Sequence, residues 1–120
     1  MAITTSVITN SFKKELLEAT HNFSSGSGNS FKLALYTNSA TLGKSTTSFT
    51  TDNQVSNTGQ YTSGGGALTN GGTSLSTNTA IIDFADRSFT GVTLTARGAL
   101  IYNDTASGDP AVCVLDFGGD

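Results

Sequence analysis

The chain has 120 residues, of which 12% are charged, and its formal net charge is −3. This length corresponds to a single domain, and the six scattered cations exclude a basic stripe for nucleic acid. Thr, Ser, Asn and Gly make up nearly half of the residues, which is typical of short β-strands joined by polar turns. No segment approaches the roughly 18 consecutive apolar residues of a membrane span. We therefore expect neither a nucleic acid nor a membrane as a partner.

The first elements along the chain are an arm and a helix. Residues 1–9 lack the features of a signal peptide, and they predict an N-terminal arm or an edge strand. An amphipathic helix is predicted over residues 11–22, with Asn10 or Ser11 as its N-cap. His21 is expected at the C-terminal end of this helix, where a protonated imidazole is favourable. The helical spacing predicts a buried face made of Phe12, Leu16, Ala19 and Phe23.

A β domain is predicted over residues 31–117. Residues 31–36 alternate between two faces, as in a half-buried strand. Residues 37–77 are polar and rich in Gly, and they predict a long loop. We expect isolated apolar anchors to hold this loop, with short strands as an alternative, for example at residues 46–51. The anchors are Leu42, Phe49, Val55, Tyr61, Leu68 and Leu75.

Three further strands are predicted after the loop. Residues 79–84 form the first, and residues 92–102 form a long bent strand with a bulge at Gly98. Residues 111–117 are apolar on both faces, which predicts a central strand covered on both sides. The glycines at 118 and 119 are a turn signature, from which we expect either a short tail or a further strand. The predicted fold class is therefore mainly β, an antiparallel sandwich or jelly-roll-like sheet that carries one N-terminal amphipathic helix.

Residues for catalysis are scarce. Cys113 lies in an apolar run and is interpreted as a small buried hydrophobe rather than a nucleophile. His21 has no second histidine with which to bind a metal. Asp104 and Asp109 lie in one turn, so a calcium site is an alternative there to an ordinary turn. We predict no enzyme activity and no cofactor.

Aromatic side chains in or near the loops leave three roles open. Phe49, Tyr61, Phe89 and Tyr102 are compatible with core packing, with contact to a neighbouring subunit, or with a carbohydrate ligand.

Four stretches carry a resemblance to a known group of proteins. Residues 10–17, 31–37, 80–86 and 95–103 resemble small virion structural proteins of tailed bacteriophages, including cyanophages. The resemblance implies a component of the phage particle, assembled in the host cytoplasm, and it offers no catalytic motif to transfer.

The expected function is therefore structural. We predict a capsid decoration or cement protein that stabilises the head through non-covalent contacts with the major capsid protein. It is expected to be a homo-oligomer, with a trimer favoured. The alternative is a tail, baseplate or fibre component involved in host attachment, and a third hypothesis is a virion-associated hydrolase. The predicted interface residues are Ile3, Val7 and Ile8 in the arm and Phe49, Val55 and Tyr61 in the long loop.

Overall fold

Short apolar runs separated by polar turns fold into seven strands and one helix among residues 3–120, which are the residues that this computed structural model describes. The first two residues of the predicted arm lie outside that range. The predicted fold class, mainly β with antiparallel sheets and one N-terminal helix, is confirmed. In chain order the elements are β1 (Val7–Ile8), α1 (Asn10–Leu17), β2 (Phe31–Tyr36), β3 (Gly66–Ala67), β4 (Asn70–Ser76), β5 (Thr79–Phe84), β6 (Gly98–Asn103) and β7 (Ala111–Asp116).

The main sheet has five strands in the order β1-β7-β6-β2-β3, and each neighbouring pair is antiparallel. Strand β7 therefore lies one position from the edge, between β6 and the two-residue strand β1. The irregularity in β6 lies between Ile101 and Tyr102, not at the predicted Gly98. Strand β6 begins at Gly98, where a Cβ would lie 2.4 Å from the Leu115 carbonyl oxygen, so this position requires the absence of a side chain.

Both faces of the main sheet are covered by the chain itself. On one face, Tyr36, Leu100 and Val114 pack with Ile3 and Leu42. The opposite face carries two clusters. The first brings Leu35 and Ala99 together with Val55 and Tyr61 from the loop, and the second joins Phe31 and Val112 to Phe12 of the helix. The sheet is therefore buried on both sides, as the two apolar faces of β7 predicted.

The long loop also closes one edge of the main sheet. Beyond the short strand β3, the backbone of Leu35 would be unpaired, since β3 pairs only with Lys32 and Leu33. The Leu35 N–H donates to the Tyr61 hydroxyl at 2.8 Å, and the Leu35 carbonyl accepts from the Val55 N–H at 2.9 Å. The loop thus satisfies edge groups that would otherwise invite pairing with another chain.

The helix is shorter than predicted, and its caps differ. Thr9 is the N-cap, and its hydroxyl accepts from the Phe12 N–H at 3.4 Å. At the other end, the Thr20 N–H donates to Glu15 O and the Ala19 N–H to Leu16 O, and Ala19 has a φ of 59°. This is a Schellman motif with alanine in the left-handed position that glycine usually takes. The helix therefore ends at Leu17, not near residue 22, and Leu16 and Ala19 are exposed rather than buried.

Two strand predictions need correction. Residues 70–76 were predicted as the end of a loop, but they form β4, which pairs with β5 in a separate two-stranded sheet. Residues 92–97 were predicted as the first half of a long strand, but they belong to none of the seven strands. Their alternating apolar side chains Val92, Leu94 and Ala96 still pack on the cluster around Tyr61, so the alternation indicated burial rather than pairing.

Candidate functional site

The hairpin formed by β4 and β5 differs chemically from the rest of the protein. No charged residue lies between Asp52 and Asp83, so Asp83 is the one charged residue of the hairpin. The two strands hydrogen-bond to each other, and within residues 3–120 nothing outside the hairpin hydrogen-bonds to residues 73–82. Both long edges of this sheet are therefore open, without the charges or prolines that usually protect an edge strand.

An apolar groove separates the hairpin from helix α1. It has a volume of about 250 Å³. One wall consists of Phe12, Leu16 and Phe23, and the other of Thr73 and residues 80–82. Leu16 is 47% exposed, although it lines the groove. The groove is thus an apolar surface that the chain leaves open.

Leu75 lies beyond this groove, at the tip of the hairpin. The register pairs Leu75 with Ala80 and Thr73 with Ile82, and alternate residues of a strand share a face. Leu75 therefore points to the same side as Ala80 and Ile82, which line the groove. Its side chain is 76% exposed, so one face of the hairpin presents both a projecting leucine and an apolar cleft.

Stacked aromatic rings hold the base of the hairpin and the helix together. The Phe23 and Phe31 rings are parallel, with centroids 4.4 Å apart, and Phe84 of β5 lies 5.8 Å from Phe31. Phe12 meets Phe23 edge-on at 5.9 Å. These contacts form a satellite core under the groove.

His21 fastens this aromatic cluster to the main sheet. Its side chain is fully buried, and Nε2 lies 2.9 Å from Glu15 Oε1. Nδ1 lies 3.1 Å from the Asn103 amide nitrogen, which can only donate. The proton of the ring is therefore on Nε2, and both nitrogens are occupied. This histidine joins helix α1 to strand β6 through both of its ring nitrogens. It lies beyond the end of the helix at Leu17, not at the C-terminal end of the helix as predicted.

Asn103 completes this buried network. Its amide also donates to Asn29 Oδ1 at 2.9 Å, and its carbonyl oxygen accepts from the backbone N–H groups of Thr105 and Ala106. All four hydrogen-bonding positions of the amide are thus used. Sequence reasoning missed this residue, since an asparagine at the end of a strand resembles any turn residue.

The six predicted interface residues differ in their exposure to solvent. Ile3, Val55 and Tyr61 are buried in the core, so in this fold they support the protein rather than contact a partner. Val7 is partly buried, and the Phe49 ring stacks on Tyr102 with centroids 4.6 Å apart. Ile8, 50% exposed, is the member that offers substantial apolar surface.

A second, hydroxyl-rich groove lies between the N-terminal segment and the loop. It has a volume of about 750 Å³ and is lined chiefly by threonines together with Val7, Leu42 and Lys44. The side chains there offer hydroxyl groups and one cation. They suit contact with a polar surface rather than proton transfer.

Burial dominates the pKa shifts of the thiol and of the tyrosine hydroxyls among residues 3–120. Burial raises the pKa of the Cys113 thiol to about 11, so the thiol is protonated at neutral pH and is a poor nucleophile. Burial likewise raises the pKa values of the hydroxyls of Tyr36, Tyr61 and Tyr102. Asp104 lies 3.4 Å from the Lys32 ammonium, and among residues 3–120 no group of three His, Cys, Asp or Glu side chains could hold a metal ion.

No family model, curated protein or solved structure matches this chain. In the part of the chain that the structure describes, no helix is long and apolar enough to cross a membrane. A function therefore has to be argued from the surface that the fold presents.

Proposed function

We propose that this protein is a structural component of a bacteriophage virion, and specifically a capsid decoration protein that stabilises the head by non-covalent contacts with the major capsid protein. The resemblance of its four stretches to small phage virion proteins supports the class. The observation that carries the proposal is the hairpin, in which residues 70–82 carry no charge and which has two open edges and an exposed apolar face.

Such a surface suits an assembled protein better than a free monomer. A single two-stranded hairpin is marginally stable in water, and open, uncharged edges favour pairing with other chains. A neighbouring subunit removes both problems when it covers the hairpin. This work needs no catalytic residue, which agrees with the occupied histidine and the protonated thiol.

The hydroxyl-rich groove favours a second candidate, a tail, baseplate or fibre component that contacts the host. Threonine hydroxyls and one lysine can hydrogen-bond to sugars. Abundance in the particle separates the two candidates.

The experiment is to purify particles of a phage that encodes this chain and to quantify the chain against the major capsid protein on a stained gel. A decoration protein gives a band of comparable molar amount on the head. A tail component gives a far weaker band that fractionates with isolated tails. Absence from washed particles would refute both candidates.

A further inference from the structure

We propose that the groove between helix α1 and the β4–β5 hairpin is a self-association site, in which Leu75 of one copy of this chain inserts into the groove of a neighbouring copy. The inference does not rest on the proposed function, because it concerns contacts between identical chains in solution.

The first argument is self-complementarity. The projecting Leu75 and the groove lie on one face of the same hairpin. A surface that carries both a projection and a matching cleft can bind an identical copy, and such contacts build a closed dimer or ring. The groove volume of about 250 Å³ gives room for a branched aliphatic side chain.

The second argument is charge. The molecule carries a net charge of −3, so two copies generally repel each other. The hairpin is the exception, as no charged residue lies between Asp52 and Asp83. Asp83 itself lies on the opposite side of strand β5 from Ile82 and Phe84, on the side that it shares with Ile81. The other wall, helix α1 with its C-cap, carries two lysines and two glutamates, so the two walls of the groove together have no net charge that would oppose the approach of a second copy.

The third argument is the amount of surface. The chain exposes 6680 Å², whereas a compact monomer of its 12.3 kDa mass exposes about 6100 Å². The excess of about 600 Å² is near the roughly 800 Å² that each partner buries in a standard interface.

The main sheet offers no comparable site. On one side the short edge strand β3 covers the start of β2, and Tyr61 and Val55 cover the backbone of Leu35 beyond it; the other edge is the two-residue strand β1. Among residues 3–120, the hairpin therefore offers the longest strand edges for pairing between copies.

The test uses three variants of the full-length protein, of which Leu17→Glu is the matched control. Leu75→Asp removes the projection, and Leu16→Glu places a charge in the groove. Leu17→Glu makes the same change one residue further on, at a side chain that is 91% exposed and does not line the groove. Light scattering after size-exclusion chromatography, over a concentration series, measures the mass in solution.

We expect the wild type and Leu17→Glu to exceed the monomer mass of 12.3 kDa, and Leu75→Asp and Leu16→Glu to return to it. Loss of one buried leucine contact weakens association by about 10- to 100-fold. Circular dichroism will show that each variant keeps its fold, which is expected because Leu75 and Leu16 are 76% and 47% exposed.

Three results would overturn the inference. The wild type could remain at 12.3 kDa at every concentration, Leu75→Asp could leave the mass unchanged, or Leu17→Glu could dissociate the assembly as fully as Leu16→Glu. A monomeric wild type whose Leu16→Glu variant fails to bind particles would assign the groove to another virion protein. That result overturns self-association and leaves the proposed function standing.

Discussion

The buried amide of Asn103 gives the sharpest prediction about stability. Asn103→Ala removes the donor to His21 Nδ1 and the acceptor for the N–H groups of Thr105 and Ala106. The imidazole cannot reach water, as its side chain is fully buried. Asn29 Oδ1 is less affected, because it still accepts from the Asn22 N–H at 2.8 Å.

The magnitude follows from these partners. An unsatisfied buried acceptor costs about 1–3 kcal/mol, and each lost turn hydrogen bond costs about 0.5–1.5 kcal/mol. The free energy of unfolding should therefore fall by about 2–6 kcal/mol, a large share of the roughly 5–15 kcal/mol of a typical domain. With a urea dependence of about 1.5 kcal/mol/M, the unfolding midpoint falls by about 1–4 M.

The assay is urea unfolding, followed by far-UV circular dichroism and by tyrosine fluorescence, since the chain contains no tryptophan. Asn38→Ala is the control, at an exposed turn residue, and should change the free energy of unfolding by less than about 0.5 kcal/mol. If both variants unfold at the same urea concentration, the His21–Asn103 network does not stabilise the fold and this reasoning is wrong.

Three further changes test other parts of the fold. Gly65→Ala should destabilise the protein by several kcal/mol or prevent folding, because the new Cβ would lie 2.0 Å from the Leu33 carbonyl oxygen at a φ of +86°. The control is Gly43→Ala, whose Cβ would meet no atom within 4 Å and which should be nearly neutral in the same urea titration. Ala19→Gly should raise the melting temperature, since Ala19 occupies the left-handed position of the Schellman motif. That conformation costs alanine about 1 kcal/mol, which glycine avoids. A lower melting temperature would contradict the assignment. Burial raises the pKa of Cys113 from 9.0 to about 11, so the unfolded chain releases this proton first and the free energy of unfolding falls as pH rises across that interval. Cys113 contributes at most about 2–3 kcal/mol to this loss, beside the tyrosine hydroxyls whose pKa values burial also raises. Cys113→Ala should therefore lose less stability than the wild type over the interval, and an equal loss would refute the assignment.

Short runs rich in apolar and aromatic side chains were predictable as strands from the sequence. Residues 31–36 and 79–84 are such runs, and the structure has β2 and β5 at those positions. Residues 111–116 are equally clear, because apolar residues fill both faces of β7 and both faces are covered. In these segments the local pattern and the tertiary environment require the same conformation.

Strand β4 was missed because its own residues do not favour a strand. It includes Gly71, Gly72 and serines, which have low β-propensity. It forms because Thr77 and Asn78 turn the chain back, so that β5 supplies the partner. A pairing of this kind depends on the neighbouring strand, and no window confined to residues 70–76 contains the signal.

The end of the helix was missed for a related reason. Phe12, Leu16, Ala19 and Phe23 have helical spacing, and Phe12 and Phe23 do pack together. The contact is made across a turn rather than along a helix, because Ala19 adopts a positive φ. Glycine would have signalled the stop, whereas alanine favours helix. Leu16, which lines the groove, lies in the last turn of this shortened helix.

The positions of the exposed strand edges explain why the candidate interface is the hairpin and not the arm and the loop, where it was predicted. The arm and the loop are the segments that look unstructured in the sequence, but the fold uses them to complete its own sheet. Ile3 is fully buried, and Tyr61 donates its hydroxyl proton to Gln54 while accepting from Leu35. Such segments cannot reach a partner without exposing the core. The hairpin looked like ordinary loop and strand, yet its open edges can pair with a neighbour at no cost to the monomer, and this difference makes it the better candidate for contact in an assembly.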